Sequence, residues 1–205
     1  MKKMALVLVA LIVILPSSLW ADDAITLGTY SNFTNGAWTL GFEFTPTVNI
    51  NVTALGSYFQ GAGPTGAFQA NVTTSHDVGM WDTSGNLLAM TTVVGSGAGT
   101  DGFQYAAIPT LTLLAGNSYI VGGETLSDNY AIDVNKTFVV GPYLSYIIHL
   151  ESYGAALQNP QNGYTTLDDW GGTFQYTATP EPGTLVLFGT GLIGAAGAIR
   201  RRLSL

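Results

Sequence analysis

The two histidines, His76 and His149, are the side chains of this chain best suited to acid–base chemistry near neutral pH. His76 lies between Ser75 and Asp77, and these residue types would suit acyl transfer. Successive residues of a strand point to opposite faces, however, so His76 and Asp77 would not bond side chain to side chain. No Gly-x-Ser-x-Gly motif presents a nucleophile. We therefore expect His76 to be a structural residue of a sheet.

Carboxylates are the other candidates for catalysis. A glycosidase needs two of them facing one sugar bond. Glu43, Glu124 and Glu151, together with several aspartates, could supply a pair. Nothing in their spacing selects one, so the sequence favours a protein that is not an enzyme and has no catalytic residues.

A short turn carries our candidate metal ligands, and Asp22-Asp23, Asp128 and Asp168-Asp169 are other acidic loop positions. Asp82, Ser84 and Asn86 place side-chain oxygens at alternate positions, as in part of a calcium-binding loop. The bidentate acid and the remaining ligands of such a loop are missing. Asp82 could instead cap the turn by accepting backbone hydrogen bonds. Calcium is the one cofactor considered, with these three residues as its ligands.

Three aromatic residues lie in a polar, glycine-rich stretch from residue 152 to residue 172: Tyr153, Tyr164 and Trp170. Aromatic rings stack on sugars, and loops on a rigid sandwich often carry binding. We predict ligand contact here, with residues 168–170 in an exposed loop. The alternative is that these rings fold inward and cover one end of the core.

Strands are the elements that must position these residues. Residues 37–44 alternate between small or polar and large apolar side chains, which is the period of a strand. Residues 76–81 and 87–94 flank a turn at 82–86 and predict a hairpin. Further strands are predicted near residues 48–54, 103–114, 118–122, 137–140, 144–150 and 173–177. This pattern predicts an all-β fold, an antiparallel β-sandwich of the jelly-roll or Ig-like kind.

The charge of the central segment excludes one class of partner. Residues 22–179 contain twelve of the thirteen acidic residues and a single basic one, Lys136. Nucleic-acid phosphates need lysine and arginine, so we predict no nucleic-acid partner. The absence of cysteine from the sequence excludes disulfides, and stability must come from packing or from a bound ion.

The N-terminus predicts a cleavable signal peptide at residues 1–21. Lys2 and Lys3 precede an apolar run over residues 4–15, and Ala21 precedes two aspartates. Signal peptidase is thus an expected partner, and the ectodomain at 22–179 would be exported across the inner membrane.

The C-terminal tail at 180–205 has three parts. An apolar run over residues 183–199 predicts a transmembrane helix that reaches roughly 26 Å at about 1.5 Å per residue. Arginines after it should stay in the cytoplasm. The polar motif before the helix and the basic stop after it consist of Pro180, Glu181, Pro182, Arg200, Arg201 and Arg202.

This order of motif, helix and arginine cluster resembles the PEP-CTERM sorting signal of Gram-negative bacteria, a tail also named the ice-binding protein C-terminal domain. The resemblance implies a transient membrane anchor that an exosortase-type membrane protease cuts near residues 180–182. It further implies a cell-surface or extracellular product, associated with extracellular polysaccharide or biofilm matrix.

A second resemblance concerns the ectodomain. The run from His76 to Asp82, followed by Gly85-Asn86-Leu87-Leu88 and by Leu113-x-x-Gly116-x-x-Tyr119-x-Val121, is similar to an uncharacterised β-sandwich domain of secreted bacterial proteins. This likeness supports the fold and carries no catalytic residues.

We therefore expect a secreted or surface-displayed, non-enzymatic protein associated with extracellular polysaccharide. Two alternatives stay open: a carbohydrate-binding module, with calcium as an aid, and an ice-binding protein. Ice binding would need a flat array of regularly spaced threonines, and the sequence shows no such ladder.

Overall fold

The computed structural model describes residues 21–59, 75–95, 102–133, 135–164 and 168–179, and helical residues at 189–191, 195 and 199–201. The predicted signal peptide before Ala21, the motif at 180–182, Arg202 and most of the predicted transmembrane helix lie outside the described residues. Within the described ranges, no helix combines the length and the apolar character needed to cross a membrane.

The described residues of the ectodomain form an all-β, antiparallel structure, as predicted. In chain order its strands are β1 (Asp22–Asp23), β2 (Ile25–Thr26), β3 (Ser31–Phe33), β4 (Trp38–Pro46), β5 (Ile50–Tyr58), β6 (Ser75–Asp82), β7 (Leu87–Val94), β8 (Phe103–Leu113), β9 (Tyr119–Glu124), β10 (Tyr130–Asp133), β11 (Val139–Val140), β12 (Leu144–Tyr153), β13 (Asn162–Tyr164), β14 (Asp168–Trp170) and β15 (Gly172–Ala178).

Two main sheets form the sandwich. The larger has the strand order β13-β12-β4-β9-β6-β7, and the smaller has the order β1-β15-β5-β8. A three-stranded sheet, β14-β10-β3, and a two-stranded sheet, β11-β2, complete the described part. Strand β15 contacts both β9 and β4, so the smaller main sheet lies against the larger one.

Alternation along β4 decides which side of the larger sheet is buried. Phe42 and Phe44 are fully buried in the core, whereas Glu43 between them is partly exposed on the opposite face. Phe174 on β15 packs against both phenylalanines, with ring centroids 6.3 Å and 4.6 Å away. The strand predicted at 37–44 is confirmed and continues to Pro46.

The predicted hairpin is present as β6 and β7. Its turn is closed by a hydrogen bond from the Gly85 amide to the Asp82 carbonyl. Gly85 has a φ of 86°, in the left-handed region that favours glycine. The order of turn residues read from the sequence was therefore sufficient to locate this unit.

Trp170 corrects the prediction for residues 168–170. These residues are not an exposed loop: they form β14, and Trp170 is 0% exposed. Its ring packs against Phe42 and Phe138, with centroids 5.6 Å and 4.8 Å away. Burying a tryptophan removes a large apolar area from water, which favours a core position over a solvent-facing one. Trp170 therefore presents no ring face for a sugar at the surface.

Candidate functional site

His76 links the two main sheets. Its Nδ1 lies 3.1 Å from Ser57 Oγ on β5, and its Nε2 lies 3.1 Å from Asp128 Oδ2 in the loop after β9. Its ring also stacks on Phe59, with centroids 4.6 Å apart. Because a carboxylate only accepts, Nε2–H donates to Asp128 and Nδ1 accepts from the Ser57 hydroxyl. The ring is thus held on three sides.

The Ser57–His76–Asp128 chain has the residue types of a catalytic triad but not the accessibility. Ser57 is 0% exposed, so its hydroxyl does not meet solvent. Burial lowers the pKa of His76, and the neighbouring Asp128 opposes that shift. Asp77, the neighbour in sequence, lies elsewhere and accepts a hydrogen bond from Thr92. Sequence reasoning missed Ser57 and Asp128 because both are distant along the chain.

A second histidine lies in a different environment, beside two carboxylates. His149 and Glu151 occupy alternate positions of β12 and so share a face, and Asp169 comes from β14. One potential ligand atom from each of the three lies within 4.8 Å of the others. His149 is 1% exposed and Asp169 is 9% exposed, while Glu151 is partly exposed. We call these three residues the HED cluster.

Strand pairing explains why the HED cluster faces inward. His149 pairs with Phe42 and Glu151 pairs with Leu40, and directly paired residues share a face of the sheet. Phe42 and Leu40 are buried, so the cluster lies on the inner face of the larger sheet. The sequence held one signal for it, the i, i+2 spacing of His149 and Glu151.

The HED cluster is electrostatically strained. Burial lowers the pKa of His149 to about 4. Burial also raises the pKa of Asp169 to about 7, with further repulsion from Glu151 and Asp168. The pKa of Glu151 is raised by burial as well. Each shift favours the uncharged form of its group.

The predicted calcium turn is closed by its own residues. Asp82 Oδ1 accepts hydrogen bonds from the amides of Ser84 and Asn86, both at 2.9 Å, and Oδ2 accepts one from Asn86 Nδ2 at 2.8 Å. These bonds lower the pKa of Asp82, those from Asn86 the most. This is the capping arrangement weighed above as the alternative to calcium.

A polar groove lies beside this turn, on the outer face of the larger sheet. Glu43, Thr83 and Ser84 line both of its adjoining hollows, whose volumes are about 630 Å³ and about 330 Å³. Asn117 borders the larger hollow and Gln161 the smaller. The groove therefore offers hydroxyl, amide and carboxylate groups, the partners that sugar hydroxyls use.

Two of the three predicted ligand-binding aromatics, Trp170 and Tyr153, are not brought together. Trp170 is in the core, whereas Tyr153 at the end of β12 is 70% exposed. Tyr164 ends β13, where it pairs with His149 in the strand register. Tyr153 instead packs against Trp38, an aromatic for which the sequence predicted only a place in a strand, with ring centroids 5.0 Å apart at 76°.

The Trp38–Tyr153 pair is held in place by its surroundings. Trp38 Nε1 donates a 2.7 Å hydrogen bond to Asn35 Oδ1, which also accepts one from the Tyr130 hydroxyl at 2.9 Å. Gly36 lies beneath the tyrosine: a Cβ there would be 3.1 Å from Tyr153 Cε2. The exposed Tyr153 ring therefore packs on a tryptophan whose position is fixed by a hydrogen bond.

Comparison with known proteins gives two matches. Residues 178–202 match the PEP-CTERM protein-sorting motif, which confirms the resemblance drawn from the tail. The motif indicates export, a C-terminal anchor processed by an exosortase-type membrane protease, and a surface or extracellular location. Neither a curated protein nor a solved structure matches the chain. The second match, to the family described as Domain of unknown function (DUF4082), spans residues 28–182, most of the chain, and the protein therefore belongs to that family.

Proposed function

We propose that this exosortase-sorted protein is a non-enzymatic, surface-displayed or secreted module that contacts extracellular polysaccharide, as in a biofilm matrix. The observation that carries the proposal is Tyr153, a 70% exposed aromatic ring held on Trp38 at one end of β12. Such an ordered, solvent-facing ring can stack on a sugar without a large loss of side-chain freedom.

Charge also supports a polysaccharide partner over a nucleic acid or an anionic membrane. With twelve acidic residues and one basic residue in 22–179, the ectodomain repels polyanions. A neutral or cationic glycan fits this surface. The polar groove beside Glu43 supplies further hydrogen-bonding groups for such a chain.

The non-enzymatic part of the proposal rests on the burial of the His76 chain. Its Ser57 hydroxyl is enclosed between the two main sheets, where no substrate carbonyl could reach it. The other histidine stands among carboxylates rather than beside a hydroxyl nucleophile. Both arrangements favour structural or binding roles.

Binding to purified exopolysaccharide of the secreting host tests the proposal. We expect the full chain to bind, and Tyr153→Ala to lower the affinity by about tenfold, which corresponds to a loss of about 1.4 kcal/mol of binding free energy. Tyr143→Ala is the matched control, because Tyr143 is 49% exposed and precedes the opposite end of β12. Equal binding by both variants, or none by the wild type, would count against the proposal.

Calcium assistance is a separate, finer prediction. If calcium acts at the 82–86 turn, a chelator should weaken glycan binding by the wild type. Asp82→Asn should then abolish the dependence on calcium, since it removes the only carboxylate of the turn. Binding that is unchanged by chelator would assign Asp82 to turn capping alone.

A further inference from the structure

We propose that the HED cluster binds a divalent transition-metal cation of the zinc class, and that this ion joins β12 to β14. The proposal does not depend on glycan binding. It concerns the inner face of the larger sheet, whereas the glycan contact is placed at the exposed end of β12.

The unpartnered state of His149 is the first observation behind this inference. In the part of the chain that the structure describes, neither its Nδ1 nor its Nε2 makes a hydrogen bond of normal length and angle, although the side chain is 1% exposed; only a weaker interaction with the Gly41 backbone remains. Asp169 Oδ1 is buried without a partner in the same way. Leaving such groups unsatisfied costs about 1–3 kcal/mol each, so native proteins rarely do so without a reason.

The arrangement of the three residues is the second observation. Their ligand atoms lie within 4.8 Å of one another. Metal–ligand bonds of about 2.1 Å let one ion bridge atoms up to roughly 4.2 Å apart. A small side-chain movement therefore brings all three onto one ion. Glu151 is partly exposed, which gives the ion a route from solvent.

The charge around the HED cluster is the third observation. Two carboxylates meet there, and the one basic residue of the ectodomain, Lys136, lies 3.8 Å from Oδ2 of the neighbouring Asp168 and forms no ion pair with the cluster itself. A divalent cation would balance the two carboxylates and give the buried oxygen and nitrogen atoms the partners they lack.

Ligand chemistry selects the class of ion. A neutral imidazole suits zinc and its neighbours in the transition series, whereas calcium takes six to eight oxygen ligands. Three protein ligands are one fewer than a closed tetrahedral zinc site has, so a water or another ligand would complete the shell. In a cysteine-free exported domain, such an ion can do the cross-linking that disulfides do elsewhere.

Thermal unfolding of the full chain, in detergent and without a histidine tag, tests the proposal. In about a hundredfold excess over its dissociation constant, Zn²⁺ should raise the midpoint by about 5–10 °C relative to chelator. Asp169→Asn and Glu151→Gln should each weaken Zn²⁺ binding by more than about a hundredfold. An unchanged midpoint in the wild type, or an undiminished shift in both variants, would overturn it.

Two controls locate the ion. Glu43→Gln removes an acid of the same sheet from its opposite face, and Asp82→Asn removes the carboxylate of the hairpin turn. Both variants should keep the full Zn²⁺ shift. Loss of the shift in Asp82→Asn but not in Asp169→Asn would place the metal at the turn and refute the HED assignment.

A spectroscopic measurement on the wild type avoids reliance on variants that fold poorly. Cu²⁺ added at one equivalent should show hyperfine splitting from a single imidazole nitrogen in electron paramagnetic resonance. His76 is already bonded at both ring nitrogens, so His149 is the available donor. A spectrum with oxygen donors only would contradict the proposal.

Discussion

His76 and His149 are both buried on strands of the same sheet, yet their surroundings differ. His76 has a partner at each ring nitrogen, Ser57 and Asp128, and a stacked phenylalanine. His149 makes no hydrogen bond of normal length and angle to the described residues, has only a weaker interaction with the Gly41 backbone, and lies beside two carboxylates. Burial lowers the pKa of both rings.

This difference separates a structural histidine from a candidate ligand. Burial alone does not reveal a function, because a fully bonded imidazole can simply tie two sheets together. A buried imidazole that lacks good hydrogen bonds has given up its contacts with water without replacing them, and this raises the free energy of the folded state. The lack of good hydrogen bonds to His149, and not the burial of its ring, is the observation that favours a bound ligand.

The largest loss of stability is expected from a substitution in the core beside the HED cluster. Trp170 adjoins Asp169 on β14 and is fully buried. Trp170→Ala should lower the free energy of unfolding by about 3–5 kcal/mol, because it removes a packed aromatic and leaves a cavity. Urea denaturation in chelator measures this. A loss below about 1 kcal/mol would mean that β14 is not anchored as described.

A matched pair of substitutions tests the contrast between the two histidines directly. His76→Leu removes two hydrogen bonds and should cost about 1–3 kcal/mol of unfolding free energy. His149→Leu, of the same change in shape, breaks no such bond and should leave the unfolding free energy equal to that of the wild type or raise it, at neutral pH and without metal. Both are compared by urea denaturation in chelator. Equal losses in the two variants would break the contrast.

The pH dependence of stability sharpens the same contrast within the HED cluster. His149 has a folded pKa of about 4, below its ordinary 6.5. Its contribution to the free energy of unfolding is therefore full above pH 6.5 and is lost as the pH falls to 4. Asp169 has a folded pKa of about 7, above its ordinary 3.8. Its contribution to the free energy of unfolding is therefore full below pH 3.8 and is lost as the pH rises to 7.

Two variants should therefore show opposite trends relative to wild type. As the pH rises from about 4 to about 7 in chelator, the stability of Asp169→Asn relative to wild type should increase. The stability of His149→Leu relative to wild type should decrease over the same range. Urea midpoints across this range give both differences. Trends of the same sign would show that the two groups do not titrate as assigned.

The smallest effect on stability is expected at the surface. Tyr153→Ala should cost no more than about 1 kcal/mol, since the ring is mostly exposed and its edge-to-face contact with Trp38 is worth about 0.5–1.5 kcal/mol in packed settings. Thermal unfolding measures the change. A loss comparable to that of Trp170→Ala would mean that Tyr153 is a core residue, not a binding one.

Patterns that are local in sequence determined much of this protein. The alternation at 37–44 and the turn residues at 82–86 located a strand and a hairpin, because side-chain direction and turn geometry depend on neighbours in the chain. The tail at 180–202 was recognisable for the same reason, since its motif, apolar run and arginines are contiguous.

Tertiary structure decided the rest. Trp170 looked like a loop aromatic, and only packing against Phe42 and Phe138 places it in the core. The partners of His76 and the meeting of Asp169 with His149 depend on which strands lie side by side and which sheets face each other. Strand order is set by the burial of the whole chain, so no spacing along the sequence encodes it.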